Sequence, residues 1–385
     1  MKKEKKKFKE KPLYLKIIII TSIVLVSAIS ALILVAGGYL SYVSIQFYRI
    51  EDNLDLTSGI IHSNNSIDSK DINSGTELSI LSYNIGFGAY DQDYDFFMDV
   101  GEMMDGTVVT GTHAKARDYE SALRNTDGSI DVLVNNEADF MVIQEIDVDS
   151  DRCYHINQYQ KFTNQFISTH DSLYCSNFHS AFLAYPFNDM IGASESGLVT
   201  LSRYHIATAL RKSYPVDLSF PNKFFDLDRC FSVSRFPLSN GKELVIGNSH
   251  MSAYDDGTIR DQQMTLLCSF LEQEKEAGNY VIIGGDYNHD ICHSAGTFPT
   301  QEKLPGWVAD FDEERLPEGY HVQADPTIPS CRAAEMPYQY GVNYLVVIDG
   351  FITSENITVN EVKNLDLQFM YSDHNPATMK FTLNI

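Results

Sequence analysis

Residues 17–43, from Ile17 to Val43, contain no charged side chain and are rich in Ile, Val, Leu and Ala. A helix of this length, rising about 1.5 Å per residue, crosses a hydrocarbon core of about 30 Å with some tilt. The apolar stretch of a secretory signal peptide is shorter, typically about 7–15 residues. No cysteine follows the run closely enough to carry a lipid anchor. A buried core helix would rarely run this far without a polar break. Eight lysines (2, 3, 5, 6, 7, 9, 11 and 16) against two glutamates give residues 1–16 a net charge of +6. Lysines on that side of a span mark the cytoplasmic face. The expectation is a single-pass anchor in the cell membrane, with the N-terminus in the cytoplasm and the rest outside.

The remainder carries 21 basic and 50 acidic residues, a net −29. So acidic a body repels polyanions, which disfavours tight non-specific nucleic-acid binding, though bound divalent cations would offset part of this. Residues 51–76 are rich in Ser, Asn and Asp and show little periodicity. They read as a flexible stalk with a root-mean-square reach of about 25–30 Å. The predicted organisation is a basic tail at 1–16, an anchor at 17–43, a stalk or linker at 44–76 and a globular domain at 77–385. The six cysteines form no CxxC pair, which excludes a zinc ribbon. Outside the cell a disulfide is permitted; Cys153 and Cys175 bracket a short polar segment and are the candidate pair, with buried free thiols the alternative.

Short apolar runs predict strands at 78–85, 140–146, 197–204, 230–236, 243–251, 280–286, 344–353 and 377–384. Helical spacing appears at about 115–136 and 257–276, where Leu266, Leu267, Phe270 and Leu271 share a face. Strands dominate, which implies an α+β layered sandwich of packed sheets with helices outside. Residues 86–112, aromatic and acidic, and residues 299–343 are long loop candidates, and such loops are often functional.

Nearly every apolar run carries polar residues at its end. Asn84 ends the first, and Gln144 and Glu145 end the next. Asn248 and His250 lie two apart, on one face of an extended strand. Asp286 and Asn288 follow Gly284 and Gly285, which let a backbone or ligand approach closely. Asp349 lies within a run, and Asp373 and His374 precede the last. One such residue alone is an ordinary turn former. Six sets on six strands point to convergence, because an unsatisfied buried polar group costs about 1–3 kcal/mol.

The ordered set Asn84, Glu145, "GLVTLSR" (197–203), Asn248-x-His250, Asp286-x-Asn288, Asp349 and Asp373-His374 resembles the endonuclease/exonuclease/phosphatase superfamily, with its deoxyribonuclease-I-like fold, in a membrane-anchored, bacterial-type form. "IRDQQ" (259–263) is similar to secreted phosphodiesterase branches. The resemblance implies a four-layer α/β sandwich of two packed mixed sheets with outer helices, preceded here by one N-terminal transmembrane helix. It also implies a metal-dependent phosphoester hydrolase, a phosphodiesterase or phosphatase, acting by in-line attack of water. Glu145 would hold Mg²⁺ (or Mn²⁺), with Asn84 and Asp373 nearby. Asp286 would deprotonate the water, Asn288 and His250 would bind phosphate oxygens beside Asn248, and His374, oriented by Asp349, would meet the developing charge. Gly350 departs from the bulkier residue often found there, which puts the pocket wall in question.

The substrate classes that fit are lipid headgroups, sugar or inositol phosphates, and nucleic acid; the membrane is a partner through the helix, and no obligate protein partner is expected. Two alternatives remain, an extracellular nuclease on the same fold and a non-catalytic tethered binding protein. A third, zinc hydrolysis through the His289/His293 pair of "HDICH", requires a helix at that point. The aromatic residues Tyr90, Tyr94, Phe96 and Phe97 either rim a pocket or pack the core.

Overall fold

A computed structural model describes residues 11–253 and 257–385. It divides into two compact units, Met1–Tyr48 and Arg49–Ile385. The first contains helix α1, Leu13–Gln46, an apolar 34-residue helix that is about 51 Å long at 1.5 Å per residue. It is long and apolar enough to cross a membrane. Of the basic tail, residues 1–10 lie outside the described residues.

The second unit holds two large mixed sheets. One has six strands: β2 (Leu78–Asn84), β3 (Phe140–Asp147), β4 (Asp171–Leu183), β5 (Gly192–Ser202), β12 (Ile357–Asn364) and β13 (Ala377–Leu383). Their order is β12-β13-β2-β3-β5-β4. The other has seven: β1 (Leu54–Asp55), β6 (Thr208–Ser213), β7 (Cys230–Pro237), β8 (Glu243–His250), β9 (Tyr280–Asp286), β10 (Tyr320–Gln323) and β11 (Asp349–Ser354). Their order is β1-β6-β7-β8-β9-β11-β10. The parallel pairs β2/β3 and β8/β9 are connected through helices α2 (Tyr119–Asn135) and α4 (Thr258–Ala277), the crossover that parallel strands require.

The central strands read as unbroken apolar runs because both of their faces are buried. Ile80, Phe140 and Val142 meet Leu244, Ile246, Ile282 and Phe351 between the sheets. The alternate residues Leu81, Met141 and Ile143 pack outward with Ile130 and Leu133 of α2 and Phe162 and Phe166 of α3 (Gln158–Phe166). On the other side Val245, Val281 and Ile283 pack with Met264, Leu267 and Phe270 of α4. The result is the four-layer sandwich expected from sequence. Helix α2 starts at a reciprocal cap, in which the Asp118 carboxylate accepts the Ser121 N–H (2.6 Å) and the Ser121 hydroxyl accepts the Asp118 N–H (3.1 Å). Helix α4 ends at Gly278, in the left-handed conformation glycine adopts without strain.

Two expectations need correction. Residues 51–76 are not a stalk but belong to the second unit. Leu54–Asp55 pairs with β6, Ile61 exchanges hydrogen bonds with Ser172, and Ile60 and Ile72 join the core between the sheets. Their polar composition hid a few well-placed apolar anchors. Nor are Cys153 and Cys175 a pair. Cys153 donates to backbone carbonyls of Ser150 and Ile156, whereas the Cys175 sulfur lies 3.7 Å from that of Cys230. Because Ile72 is fully enclosed, Ile72→Ala should destabilise the domain by about 2–5 kcal/mol. Thermal or denaturant unfolding measures this; a stalk residue would give no change.

Candidate active site

Sheet register gathers the first part of the site. His250 on β8 lies beside Asp286 on β9, and Asp286 lies opposite Asp349 on β11. Gly285 permits this, since a Cβ there would sit 2.0 Å from the Ser249 carbonyl oxygen. On the facing sheet Asn84 pairs in register with Gln144, next to Glu145. Glu145 has a positive φ of 57° inside a β-bulge. That conformation is strained for a side chain bearing Cβ, and bulges of this kind re-aim side chains. Asn288 (φ 51°) and Phe87 (φ 40°) share this backbone region close to the site.

A cavity of about 380 Å³ opens here, lined by Glu145, His250, Asp286, Asn288, Asp373 and His374. The structure therefore brings together six of the residues singled out from sequence. Asp349 stands immediately behind His374. Its Oδ2 lies 2.7 Å from His374 Nδ1 and accepts the Ser330 hydroxyl at 2.7 Å. His374 Nε2 faces Asp286 Oδ2 at 3.8 Å. Asn84 also lies behind the cavity. Its Nδ2 donates to Glu145 Oε1 (3.2 Å) and Asp286 Oδ2 (3.1 Å), and its Oδ1 accepts the Gly86 N–H (2.9 Å). Asn84 thus holds two carboxylates in place, while its oxygen is already engaged.

Asn248 departs from expectation. It is fully buried and does not line the cavity. Its Nδ2 donates to the carbonyls of Ile143 and Val199, and its Oδ1 accepts from Gln144 Nε2. These bonds stitch β8 to the opposite sheet, and leave Asn248 as a structural residue instead of a substrate contact. Asn288 donates one amide hydrogen to the Met251 carbonyl (2.8 Å), and its backbone N–H caps Asp286 Oδ1 (2.8 Å). At Gly350 a Cβ would strike Ile291 and the Gln323 carbonyl. The missing side chain makes room for packing, and Ile348 supplies the cavity wall. Residues 287–295 form no helix, and His289 Nδ1 lies 2.6 Å from the Tyr287 carbonyl, so the helical zinc-protease reading is lost.

The electrostatics follow from burial and proximity. Burial pushes the Asp286 carboxyl up to about 7, with Asp349 adding to it and His374 opposing it. Burial also raises Asp373, and the nearby charge of Glu145 raises it further. Burial alone would lower His374, but Asp349, with Cys331 and Asp286, holds its imidazolium well above the ordinary range. His250 is held well below its ordinary value by burial, with Arg229 contributing. A neutral His250 that accepts from Asn177 Nδ2 at Nδ1 (3.4 Å) carries its proton on Nε2, toward Asp286 and Glu145.

Three carboxylates, Glu145, Asp286 and Asp373, thus line the cavity beside His374, and behind that histidine Asp349 Oδ1 is buried without a hydrogen-bond partner. Ligand atoms of Asp286, Asp349 and His374 lie within 4.8 Å of one another. That group includes an imidazole already held by Asp349; the carboxylate oxygens of Glu145 and Asp373, which line the same cavity, are the hard donors that suit a divalent cation.

Sequence reading missed three arginines. Arg152 makes two bonds to Asp147 (2.9 and 2.7 Å) and lies 3.9 Å above the Phe87 ring. Arg332 donates to the carbonyls of Asp91, Tyr94, Ala333 and Met336. Arg229, only 6% exposed, lines the cavity with Nε and Nη1 unpartnered. No local pattern marks them; they come from loops and strand ends that only the fold brings near. Of the aromatic stretch, Tyr94 is core, whereas Tyr90 and Phe96 face the cavity with Met98, Phe178 and Trp307.

Comparisons with known proteins agree with this architecture. Residues 81–374 match the endonuclease/exonuclease/phosphatase family. The chain belongs to that family. Among solved structures, it is similar to an endonuclease/exonuclease/phosphatase from Beutenbergia cavernae, with 14% identity and a TM-score of 0.52 over 80% of this chain and 72% of that one. It is also similar to ANGEL2, a 2′,3′-cyclic phosphatase crystallised with adenosine-2′,3′-vanadate, with 13% identity and a TM-score of 0.50 over 80% of this chain and 96% of that one. At these identities the likeness concerns the fold. No curated protein matches the sequence.

Proposed function

We propose that this protein is a metal-dependent phosphoester hydrolase, a phosphodiesterase or phosphatase, anchored by α1 and acting outside the cytoplasm. The observation that carries the reading is the convergence of Glu145, His250, Asp286, Asn288, Asp373 and His374 on one cavity. Glu145 and Asp373 would hold Mg²⁺, with Asn84 fixing Glu145. When bound, the ion supplies charge neutralisation at the phosphate and orientation of the reacting oxygens.

Asp286 accepts the proton of the attacking water, and its lone pairs are directed by Asn84 and the Asn288 N–H. As the new P–O bond forms, the bond to the leaving oxygen breaks on the opposite side. His250 and the second amide hydrogen of Asn288 donate to phosphate oxygens. His374, oriented by Asp349, neutralises the developing charge and gives its proton to the leaving oxygen. Such positioning and electrostatic preorganisation supply most of the rate enhancement in phosphoryl transfer.

Arg229 and the aromatic lining bear on the substrate. Two buried guanidinium nitrogens without a hydrogen bond cost more than about 1 kcal/mol without a ligand, and a guanidinium matches phosphate or carboxylate, the charge it already feels from Asp226 in the same cavity. Arg229 lines the same cavity as Tyr90, Phe96 and Trp307, which favours a compact substrate that carries an apolar or ring-bearing group as well as its phosphate. The net charge of −29 outside residues 1–16 disfavours long nucleic acids. Sidedness rests on the eight lysines of residues 1–16, seven of which precede α1 and one of which lies in its first turn.

The full chain, purified in detergent with Mg²⁺ or Mn²⁺, should hydrolyse one class among lipid headgroup diesters, sugar or inositol phosphates, and nucleic acids. EDTA should abolish this, and Asp286→Asn should lower kcat about 10²–10⁴-fold. Intact cells should hydrolyse the same substrate added outside. Full activity of the folded Asp286→Asn variant would overturn the mechanism, and activity only after lysis would overturn the sidedness. Arg229→Ala should raise KM about 10-fold or more while changing kcat less; an unchanged KM would remove Arg229 from the substrate site.

A further inference from the structure

A second group of metal-ligating side chains lies outside the catalytic cavity, on the segment first read as stalk. Asp171 opens β4 with its carboxylate fully buried. Its Oδ1 accepts the Ser63 N–H (2.8 Å) and its Oδ2 accepts the Ile206 N–H (3.0 Å). Two imidazoles converge on the same Oδ2, His62 Nδ1 at 2.7 Å and His205 Nδ1 at 3.3 Å. Their rings lie 4.4 Å apart at a tilt of 30°. One ligand atom from each of the three residues falls within 4.8 Å of the others. Both histidines are about half exposed, at 44% and 51%, so ions in solution reach them. Among the described residues no Lys or Arg forms an ion pair with Asp171.

We propose that His62, Asp171 and His205 bind a transition-metal ion of the zinc class, which staples the segment after α1 to the edge of the six-stranded sheet. Two imidazole nitrogens and one carboxylate oxygen suit Zn²⁺, Co²⁺ or Ni²⁺ better than Mg²⁺, and water completes the shell. In a tetrahedral site with bonds of about 2.0–2.2 Å, neighbouring ligand atoms are about 3.3 Å apart. The His205–Asp171 separation already has that value. The shorter His62–Asp171 distance is that of a hydrogen bond. The metal replaces the shared proton, and the pair opens by about 0.6 Å.

Backbone pairing preorganises the ligands. Ile61 and Ser172 exchange hydrogen bonds of 2.8 Å, Ile67 N donates to Arg203 O at 2.8 Å, and His205 N donates to Ile67 O at 2.8 Å. The three ligands therefore come from three chain segments already held in register. Their chemistry is separate from the oxygen-rich cavity, which none of them lines.

The test is a Co²⁺ titration of the full chain in detergent with excess Mg²⁺, followed by its visible d–d absorption, alongside thermal unfolding with and without Zn²⁺. Wild type and Asp286→Asn should both develop the band and both gain Tm with Zn²⁺. His62→Ala/His205→Ala should lose the band and bind Zn²⁺ more than about 10-fold more weakly. His62→Gln retains a donor to Asp171, and should keep the metal-free Tm while losing the Zn²⁺-dependent rise. A band and Tm rise that persist in the double variant, or that are absent from wild type, would leave a hydrogen-bonded clamp only and overturn the proposal. Asp286→Asn separates this outcome from failure of the hydrolase reading, because it removes the proposed base and leaves all three ligands intact.

Discussion

Two side-chain amides tie the facing sheets together at the end where the chemistry is placed. Asn84, on the six-stranded sheet, bonds Glu145 on its own sheet and Asp286 across the gap. Asn248, on the seven-stranded sheet, reaches the carbonyls of Ile143 and Val199 on the other. The bonds to Asp286, Ile143 and Val199 are buried, and breaking any of them strands a polar group at a cost of about 1–3 kcal/mol. They fix the separation of the sheets at that end and hence the distance between Glu145 and Asp286. A catalytic constellation needs this kind of rigid support, because misplacement by about 1 Å can cost about 10²-fold in rate.

The same end of the sandwich carries several unfavourable features. Glu145, Asn288 and Phe87 adopt positive φ, the buried carboxyl of Asp286 and the half-buried one of Asp373 have raised affinity for protons, and Arg229 carries unpartnered nitrogens. Elsewhere the unit is held by apolar packing on both faces of each central strand. Strain and buried charge supported by well-packed strands are features in which functional sites are typically rich. A phosphate ester with its divalent cation would relieve the imbalance, because cation and anion together answer the carboxylates and the guanidinium.

Much of this was legible in the sequence because central strands buried on both faces announce themselves. The run at 280–286 coincides with β9, and the helices expected at 115–136 and 257–276 form at Tyr119–Asn135 and Thr258–Ala277. Polar residues at strand ends were informative for the same reason, since nothing else explains them on so apolar a strand. Elements carried by tertiary context were not legible. β4 is interrupted by polar residues and two register shifts, β1 has two residues, and α3 spans only nine. Residues 51–76 read as a flexible stalk by composition, yet a few anchors such as Ile60 and Ile72 suffice to seat them. Asn248 misled because its spacing to His250 is the same whether it faces ligand or backbone. The loop arginines had no sequence signal at all.

The central claim is that the carboxylates at the cavity end form a divalent-cation site on which hydrolysis depends. It is tested most directly by electron paramagnetic resonance of Mn²⁺ titrated into the purified full chain, comparing wild type with Glu145→Gln. The account predicts that wild type removes the free-ion signal, that Mg²⁺ restores it by competition, and that Glu145→Gln weakens binding about 10-fold or more. Identical titrations of the two proteins, or a wild type that leaves the free-ion signal untouched, would contradict it.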